Sequence, residues 1–257
     1  MRLIILIILF STKIFCYENT GYKLMLDKIS ENINLIESAE KKVRENNFFY
    51  SYPYNGLIEN LKCLGIKKLP LFVFGSLVSK EDAARTLGPD SLATRKPAVA
   101  FAVVRLFNRD VPIKAGSKWG TPCLENARGM LNIVKTSNVL DVVNGVVMEV
   151  DIHDLPRLLE REEGYDLIPI LVTDWSAFHK KNTFVFSCAY TFHAKGEYVS
   201  NLILPRPGYY EFTRDAIKDF GEDFYQIWLD TTFLSDGKTS ARQWEETTIK
   251  NNTKPHK

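Results

Sequence analysis

Residues 69–88 (LPLFVFGSLVSKEDAARTLG) carry an apolar strand straight into Gly75 and Ser76 and then into a capped helix, and no other stretch constrains the chain as strongly. Leu71, Phe72, Val73 and Phe74 form a short β-branched and aromatic run between Pro70 and Gly75, the composition of a buried strand. Ser79, followed three residues later by Asp82, reads as a helix start in which the two side chains cap reciprocally. Glycine and serine in the turn let a ligand approach the backbone, where unpaired N–H groups favour a carboxylate or phosphate. Many such turns are plain connections, so the residues of this segment leave both readings open.

The rest of the composition fits an ordinary enzyme. A chain of 257 residues, 45% hydrophobic and 12% aromatic, can bury one large core or a core with a small accessory element. The formal net charge is +2 with both signs interspersed, so neither a nucleic-acid nor an anionic-membrane partner is indicated. The longest locally basic stretch, Lys67–Lys68, is trivial, and the pair Lys180–Lys181 reads as a solvated turn. Met1 and Arg2, the apolar run 3–10 and residues 11–16 have the layout of a secretory signal, too short to span a bilayer. This predicts a signal peptide over 1–16, a mature chain starting near Tyr17 or Glu18 with no membrane anchor, and a secreted or periplasm-like location; an uncleaved N-terminal helix is the alternative. Beyond it, Cys63, Cys123 and Cys188 cannot form a complete set of pairs and none stands at metal-ligand spacing, which excludes a disulfide-stapled scaffold. Cys188, within an apolar run, reads as a packed residue.

Periodicity organises the remainder. Leu26, Ile29, Ile33, Ile36 and Val43 recur at helical spacing over 22–46, a stripe that either packs on the domain or pairs with a second copy as a homodimer. The aromatic segment Phe48, Phe49, Tyr50, Tyr52 and Tyr54, interrupted by Pro53, reads as an irregular wrap held down by its rings, and a short helix follows over 57–63. Strands are expected at 97–107, 142–151, 167–174 and 183–194, and helices at 155–162 and 210–229, the latter with Ala216, Phe220, Phe224 and Ile227 along one side. A sheet-rich core with peripheral helices is α+β. Residues 246–257 read as a disordered tail containing the sequon Asn251, Asn252, Thr253.

A second motif, LLEREEGY at 158–165, gives the turn at Gly75 a meaning. Together the two segments resemble the gamma-glutamylcyclotransferase-like family, in a bacterial and protist-type branch, where a YGSL-type loop holds the substrate and a Glu in L-x-x-R-E-x-G-Y is the acid/base. PAVAFAVVRLFN at 97–108, VVNGVVMEV at 142–150, LILPRPGYY and LDTTFLSDG extend the resemblance over residues 69 to 245. It implies a small mixed β-barrel with peripheral helices whose mouth holds the pocket, placed at 67–245 behind a helical extension at 17–66. Aligned on Arg161, Gly164 and Tyr165, the catalytic position falls on Glu162, and the substrate-binding positions on Phe74, Gly75, Ser76, Leu77 and Tyr165. The implied reaction needs no cofactor and no metal. Its substrate is a γ-glutamyl compound such as glutathione, a γ-glutamyl amino acid or a γ-glutamyl-amine, cyclised to 5-oxoproline in the manner of a transferase or lyase. Phe74 departs from the family's Tyr, keeping the ring and losing a hydroxyl.

Other chemistries have weaker footing. Asp151, His153 and Asp154 have the residue types of a metal site, but at a strand end such groups more often cap helices. Cys123 with a histidine could make a thiol hydrolase, yet nothing around Gly120, Thr121 and Pro122 activates a thiol. An inactive secreted binding module on the same fold is the main alternative, and Phe74 is the residue that favours it.

Overall fold

The computed structural model describes residues 20–46, 49–51, 53–54, 56–179 and 183–252. The signal segment 1–16, Tyr17, Glu18, Phe48, Tyr52, Lys180, Lys181 and Thr253 of the sequon lie outside the described residues.

Among the described residues eight strands run in chain order: β1 Lys68–Val73, β2 Lys96–Phe101, β3 Val103–Asp110, β4 Gly129–Lys135, β5 Val142–Asp151, β6 Tyr165–Asp174, β7 Phe186–Ala194 and β8 Thr232–Leu234. Ten α-helices accompany them among the same residues: α1 Thr20–Glu31, α2 Ile33–Asn46, α3 Leu57–Cys63, α4 Lys80–Ala83, α5 Pro89–Ala93, α6 Leu155–Arg161, α7 Ser176–His179, α8 Pro207–Lys218, α9 Glu222–Thr231 and α10 Ala241–Asn252. The fold is α+β. Strands β1, β5, β2, β6 and β7 close into a mixed barrel, sealed where β7 meets β1 in parallel at Leu71 and Tyr190. Strands β4, β3 and β8 form a second, three-stranded sheet. Among the described residues no helix is long and apolar enough to cross a membrane.

The strand expected over 97–107 is two strands. Ala102, buried among apolar neighbours, adopts φ 55°, a conformation that costs an L-residue on the order of 1 kcal/mol. There the chain leaves the barrel as β2 and enters the second sheet as β3. Strand β4, absent from the sequence expectation, pairs antiparallel with β3 across a register shift between Leu106 and Arg109. Such bulges re-aim side chains. Fully buried Arg105 on β3 joins the two sheets: its guanidinium donates to the Asn144 main-chain oxygen at 2.6 Å, Asn144 Oδ1 at 3.0 Å and Thr232 Oγ1 at 2.8 Å, and it lies 5.4 Å from the Trp228 ring centre.

The apolar stripe over 22–46 packs on the barrel. Met25, Ile29, Ile36 and Val43 are buried against Val99 and Phe101 of β2, Leu171 of β6 and Ile227 of α9. Each fully buried aliphatic side chain contributes about 1.5–3 kcal/mol, so these helices are docked parts of the fold. The single helix expected there is broken at Asn32. The one expected over 210–229 is likewise broken at Asp219, Phe220 and Gly221 into α8 and α9. Tyr50 extends the barrel edge through paired backbone bonds with Leu167, whereas Phe49 is exposed. At the other end, α10 continues helical through Asn252, into the segment read as a disordered tail. It is held there by Trp244 edge-on to Tyr210 and by Glu245, which accepts from the Tyr210 and Tyr225 hydroxyls.

Candidate functional site

Where β1 ends, Phe74 and Gly75 lead into a 3-10 turn, Ser76–Val78, and a small cleft opens beside it. Phe74 and Leu77 are buried in its wall. The first amides of such a turn have no intrahelical acceptor, and those of Gly75, Ser76 and Leu77 pair with no acceptor among the described residues. Glycine at position 75 lets this loop and α8 approach closely, because a Cβ there would lie 2.5 Å from the Tyr209 hydroxyl oxygen and force one of them to shift. Ser79 caps α4 through the Asp82 amide at 3.3 Å, as the sequence suggests. The reciprocal cap is absent: the Ser79 amide bonds Ser76 O, and the Asp82 carboxylate turns away to Arg161.

The opposite wall comes from the end of α6. Leu155, Leu158 and Leu159 anchor this helix in the core, Arg161 ends it, and Glu162 occupies its C-cap position. Gly164, at φ 85°, then turns the chain into β6 at Tyr165. Glu162 faces the cleft together with Gly75, Ser76 and Tyr165, while Glu160 and Glu163 are exposed. Burial pushes the Glu162 carboxyl above its ordinary value, against the pull of Arg161, Arg109 and Lys118. Its Oε1 lies 3.3 Å from Arg161 Nε, and 16% of its side chain remains exposed, enough for a ligand to reach it.

Two phenols face the same space. Tyr165 donates to Leu131 O at 3.0 Å, lies under the Arg109 guanidinium at 4.1 Å, and burial pushes it to about 12. Tyr209, on the first turn of α8, is raised well above 10 by burial. Both therefore stay protonated at neutral pH and act as hydrogen-bond donors. Buried Tyr54 supports this wall from outside, donating to Tyr165 O at 2.6 Å.

A charged cluster closes the loop side. Arg161 donates through Nη2 to Ser76 Oγ at 2.9 Å and to the Asp82 carboxylate, and through Nη1 to Asp82 O at 2.9 Å. Asp82 is buried; burial pulls its carboxyl up, but Arg161 and Lys118 hold it below its ordinary value. Lys118 Nζ stands 3.7 Å from Asp82 Oδ1 and over the Trp119 ring. Buried Arg206 fixes the loop that carries both residues, donating to Gly120 O and Ile113 O.

The structure thus brings together all six positions assigned from the sequence: Glu162, Phe74, Gly75, Ser76, Leu77 and Tyr165. Tyr209, Arg109 and Lys118 had no assigned role, and Asp82 was assigned only a helix cap. Only the PRPGYY segment hinted at Tyr209, and adjacent Tyr209 and Tyr210 point to different helix faces that no pattern distinguishes. Among the described residues no group of three or more His, Cys, Asp or Glu side chains could hold a metal. Asp154 instead accepts from Gly88 N and Ser91 Oγ, and Asp151 from His153 N, so these carboxylates brace turns. Cys123 is exposed, and His193 Nδ1 is engaged with Ile133 O.

A closed five-stranded mixed barrel with the half-buried Glu162 carboxylate facing a loop of free amides defines the class of site. No family model matches the chain, and no curated protein matches it. Solved structures similar to it include a gamma-glutamyl cyclotransferase, 17% identical over 72% of this chain and 99% of that one, with a TM-score of 0.48. YkqA from Bacillus subtilis is 14% identical over 66% of this chain and 56% of its own, with a TM-score of 0.48. The uncharacterized human protein loc79017 is 15% identical over 63% of this chain and 86% of its own, with a TM-score of 0.45.

Proposed function

We propose that this protein is a gamma-glutamylcyclotransferase-type enzyme that releases 5-oxoproline from a γ-glutamyl compound. The observation that carries the reading is the Glu162 carboxyl facing the free amides of Gly75, Ser76 and Leu77 across one small cleft. The residues of the LLEREEGY motif, read as similar to the family's acid/base segment, point the same way.

The chemistry follows from what a γ-glutamyl group needs. Its α-ammonium has a pKa of roughly 8 and must lose a proton before its nitrogen can attack. Glu162 takes that proton. The nitrogen then attacks the γ-carbonyl carbon, the new C–N bond closes the five-membered ring, and the old amide C–N bond breaks. Glu162 gives that proton to the departing nitrogen and takes the second proton from the new ring nitrogen, which leaves with the released amine as its ammonium, so one carboxyl serves as both base and acid. Its raised pKa suits a group that must hold the proton between the two transfers.

Ring closure is intramolecular, so the remaining task is to hold the substrate folded back on itself. The α-carboxylate sits on the amides of Gly75, Ser76 and Leu77, which need an acceptor. Tyr209, protonated and facing the same space, supplies a donor where negative charge builds on the γ-carbonyl oxygen, while the Tyr165 hydroxyl is held by Leu131 O. The phenol missing at Phe74 therefore leaves that of Tyr209 to donate in the cleft.

The test is incubation of purified protein with a panel of γ-glutamyl amino acids, γ-glutamyl-amines and glutathione, with detection of 5-oxoproline. Release from at least one class is expected. No release from any of them overturns the reading.

A further inference from the structure

The Asp82–Arg161 pair lies behind the wall of the candidate site, against Ser76 and Glu162 and outside the residues assigned to substrate or proton transfer. Arg161 reaches both halves of the cleft: Nη2 bonds Ser76 Oγ at 2.9 Å on the loop side, and Nε stands 3.3 Å from Glu162 Oε1 on the helix side. Asp82 takes up the same guanidinium by its carboxylate and its main-chain oxygen. It is 2% exposed, so the interaction is shielded from solvent.

We propose that Arg161 and Asp82 are a positioning pair: Arg161 ties the Ser76 loop to the Glu162 carboxylate, and Asp82 neutralises Arg161 so that Glu162 is left free to exchange its proton. The proposal rests on the cyclotransferase reading for its consequence in turnover, but not for its electrostatics.

An arginine beside a carboxylate normally stabilises the charged form and pulls its pKa down by about one to three units. Glu162 is nonetheless raised. Burial is the largest cause, and a guanidinium already shared with a buried aspartate is a weakened opponent. The other groups that face Glu162 are Arg109 from β3, Lys118 from the turn at 117–119, and the phenols of Tyr165 on β6 and Tyr209 on α8. Asp82 in turn meets Lys118 and, at 3.6 Å, Arg85 Nε. Arg109 is committed to the Tyr165 ring and to Glu163 O, and 47% of the Lys118 side chain is exposed to screening solvent. Arg161 is thus the cation in direct contact with Glu162, and Asp82 is the anion that offsets it.

The two partners must then move Glu162 in opposite directions. Removing Arg161 takes away a charge that favours the carboxylate, so the Glu162 pKa rises. Removing Asp82 frees Arg161 for Glu162, so the pKa falls. A pair that only braced the fold would shift both variants the same way or neither.

The measurement is a pH titration of the full chain carrying 13C-labelled glutamate, without substrate, the Glu162 signal being assigned by its loss in Glu162→Gln. Arg161→Gln should raise the midpoint by about one pH unit and Asp82→Asn should lower it by a similar amount. Asp82→Asn/Arg161→Gln, which leaves neither charge unpaired, should fall between them. Should Asp82→Asn not fold, the drop from Arg161→Gln to the double variant reads the same Asp82 effect. Arg161→Lys keeps the charge but loses the fork, so its midpoint should stay near that of the unsubstituted protein while KM rises about tenfold. Shifts of the two single variants in one direction, no shift in either, or an Arg161→Lys midpoint equal to that of Arg161→Gln would overturn the proposal. Absence of 5-oxoproline release would instead count against the cyclotransferase reading and leave the titration result standing.

Discussion

The Tyr209 hydroxyl rests against the α-carbon of Gly75, so close that a methyl group on Gly75 would lie 2.5 Å from the phenolic oxygen. One contact therefore joins the loop after β1 to the first turn of α8, elements far apart in the chain. Gly75→Ala should destabilise the protein by about 1–3 kcal/mol, as overpacking does. The ring carbon bearing that hydroxyl is 3.8 Å from the same point, an ordinary contact. Adding Tyr209→Phe should therefore recover most of the loss in a denaturant melt, and an unchanged melt for Gly75→Ala alone would contradict the packing described.

Asp82 makes stability pH-dependent in a defined direction. Its folded pKa lies below the ordinary 3.8, so its contribution is fully present above 3.8 and is lost as pH falls through the lower folded value. At pH 7 Asp82→Asn should cost roughly 3 kcal/mol, because it leaves a largely buried guanidinium short of its partner. Unfolding curves of the two proteins should converge as pH drops below about 3.8. A gap that is constant with pH would show that the Asp82 charge is not what stabilises this corner.

Arg105 gives a prediction about the fold. Arg105→Ala removes the donors from Asn144 and Thr232 and opens a cavity where the second sheet meets the barrel, a combination expected to cost on the order of 3–5 kcal/mol. Arg105→Met keeps most of the packed volume and should lose less. Equal melting temperatures for the two variants would argue against a packing contribution from the Arg105 stem.

What the sequence could reveal followed its local signals. Runs of β-branched and aromatic residues marked β1, β5, β6 and β7, and the apolar stripe marked the face of α1 and α2 that packs on the barrel. Breaks without a strong local signature stayed hidden: nothing in PAVAFAVVRLFN announces that Ala102 turns to positive φ, because tertiary pairing of β3 with β4 imposes it. Asn32 interrupts one helix and Gly221 another at points where the apolar period continues unbroken. In the site, Glu162 and the loop at Gly75 belong to contiguous motifs and could be read directly. Arg161 stood inside such a motif, but its partner Asp82 looked like a helix cap, and only the fold shows its carboxylate turned toward Arg161. Tyr209 reaches the cleft by the docking of α8, which no local pattern encodes.

Three carboxylates stand within four residues at the end of α6, and only Glu162 faces the cleft. Glu162→Gln preserves shape and hydrogen bonding but cannot cycle a proton, whereas Glu163→Gln removes one exposed charge next to it. Measured as 5-oxoproline release from the best γ-glutamyl substrate, Glu162→Gln should lower kcat by ~10²-fold or more with folding intact, and Glu163→Gln should be nearly silent. Full activity in Glu162→Gln, or a comparable loss in Glu163→Gln, would contradict the assignment of Glu162 as the acid/base.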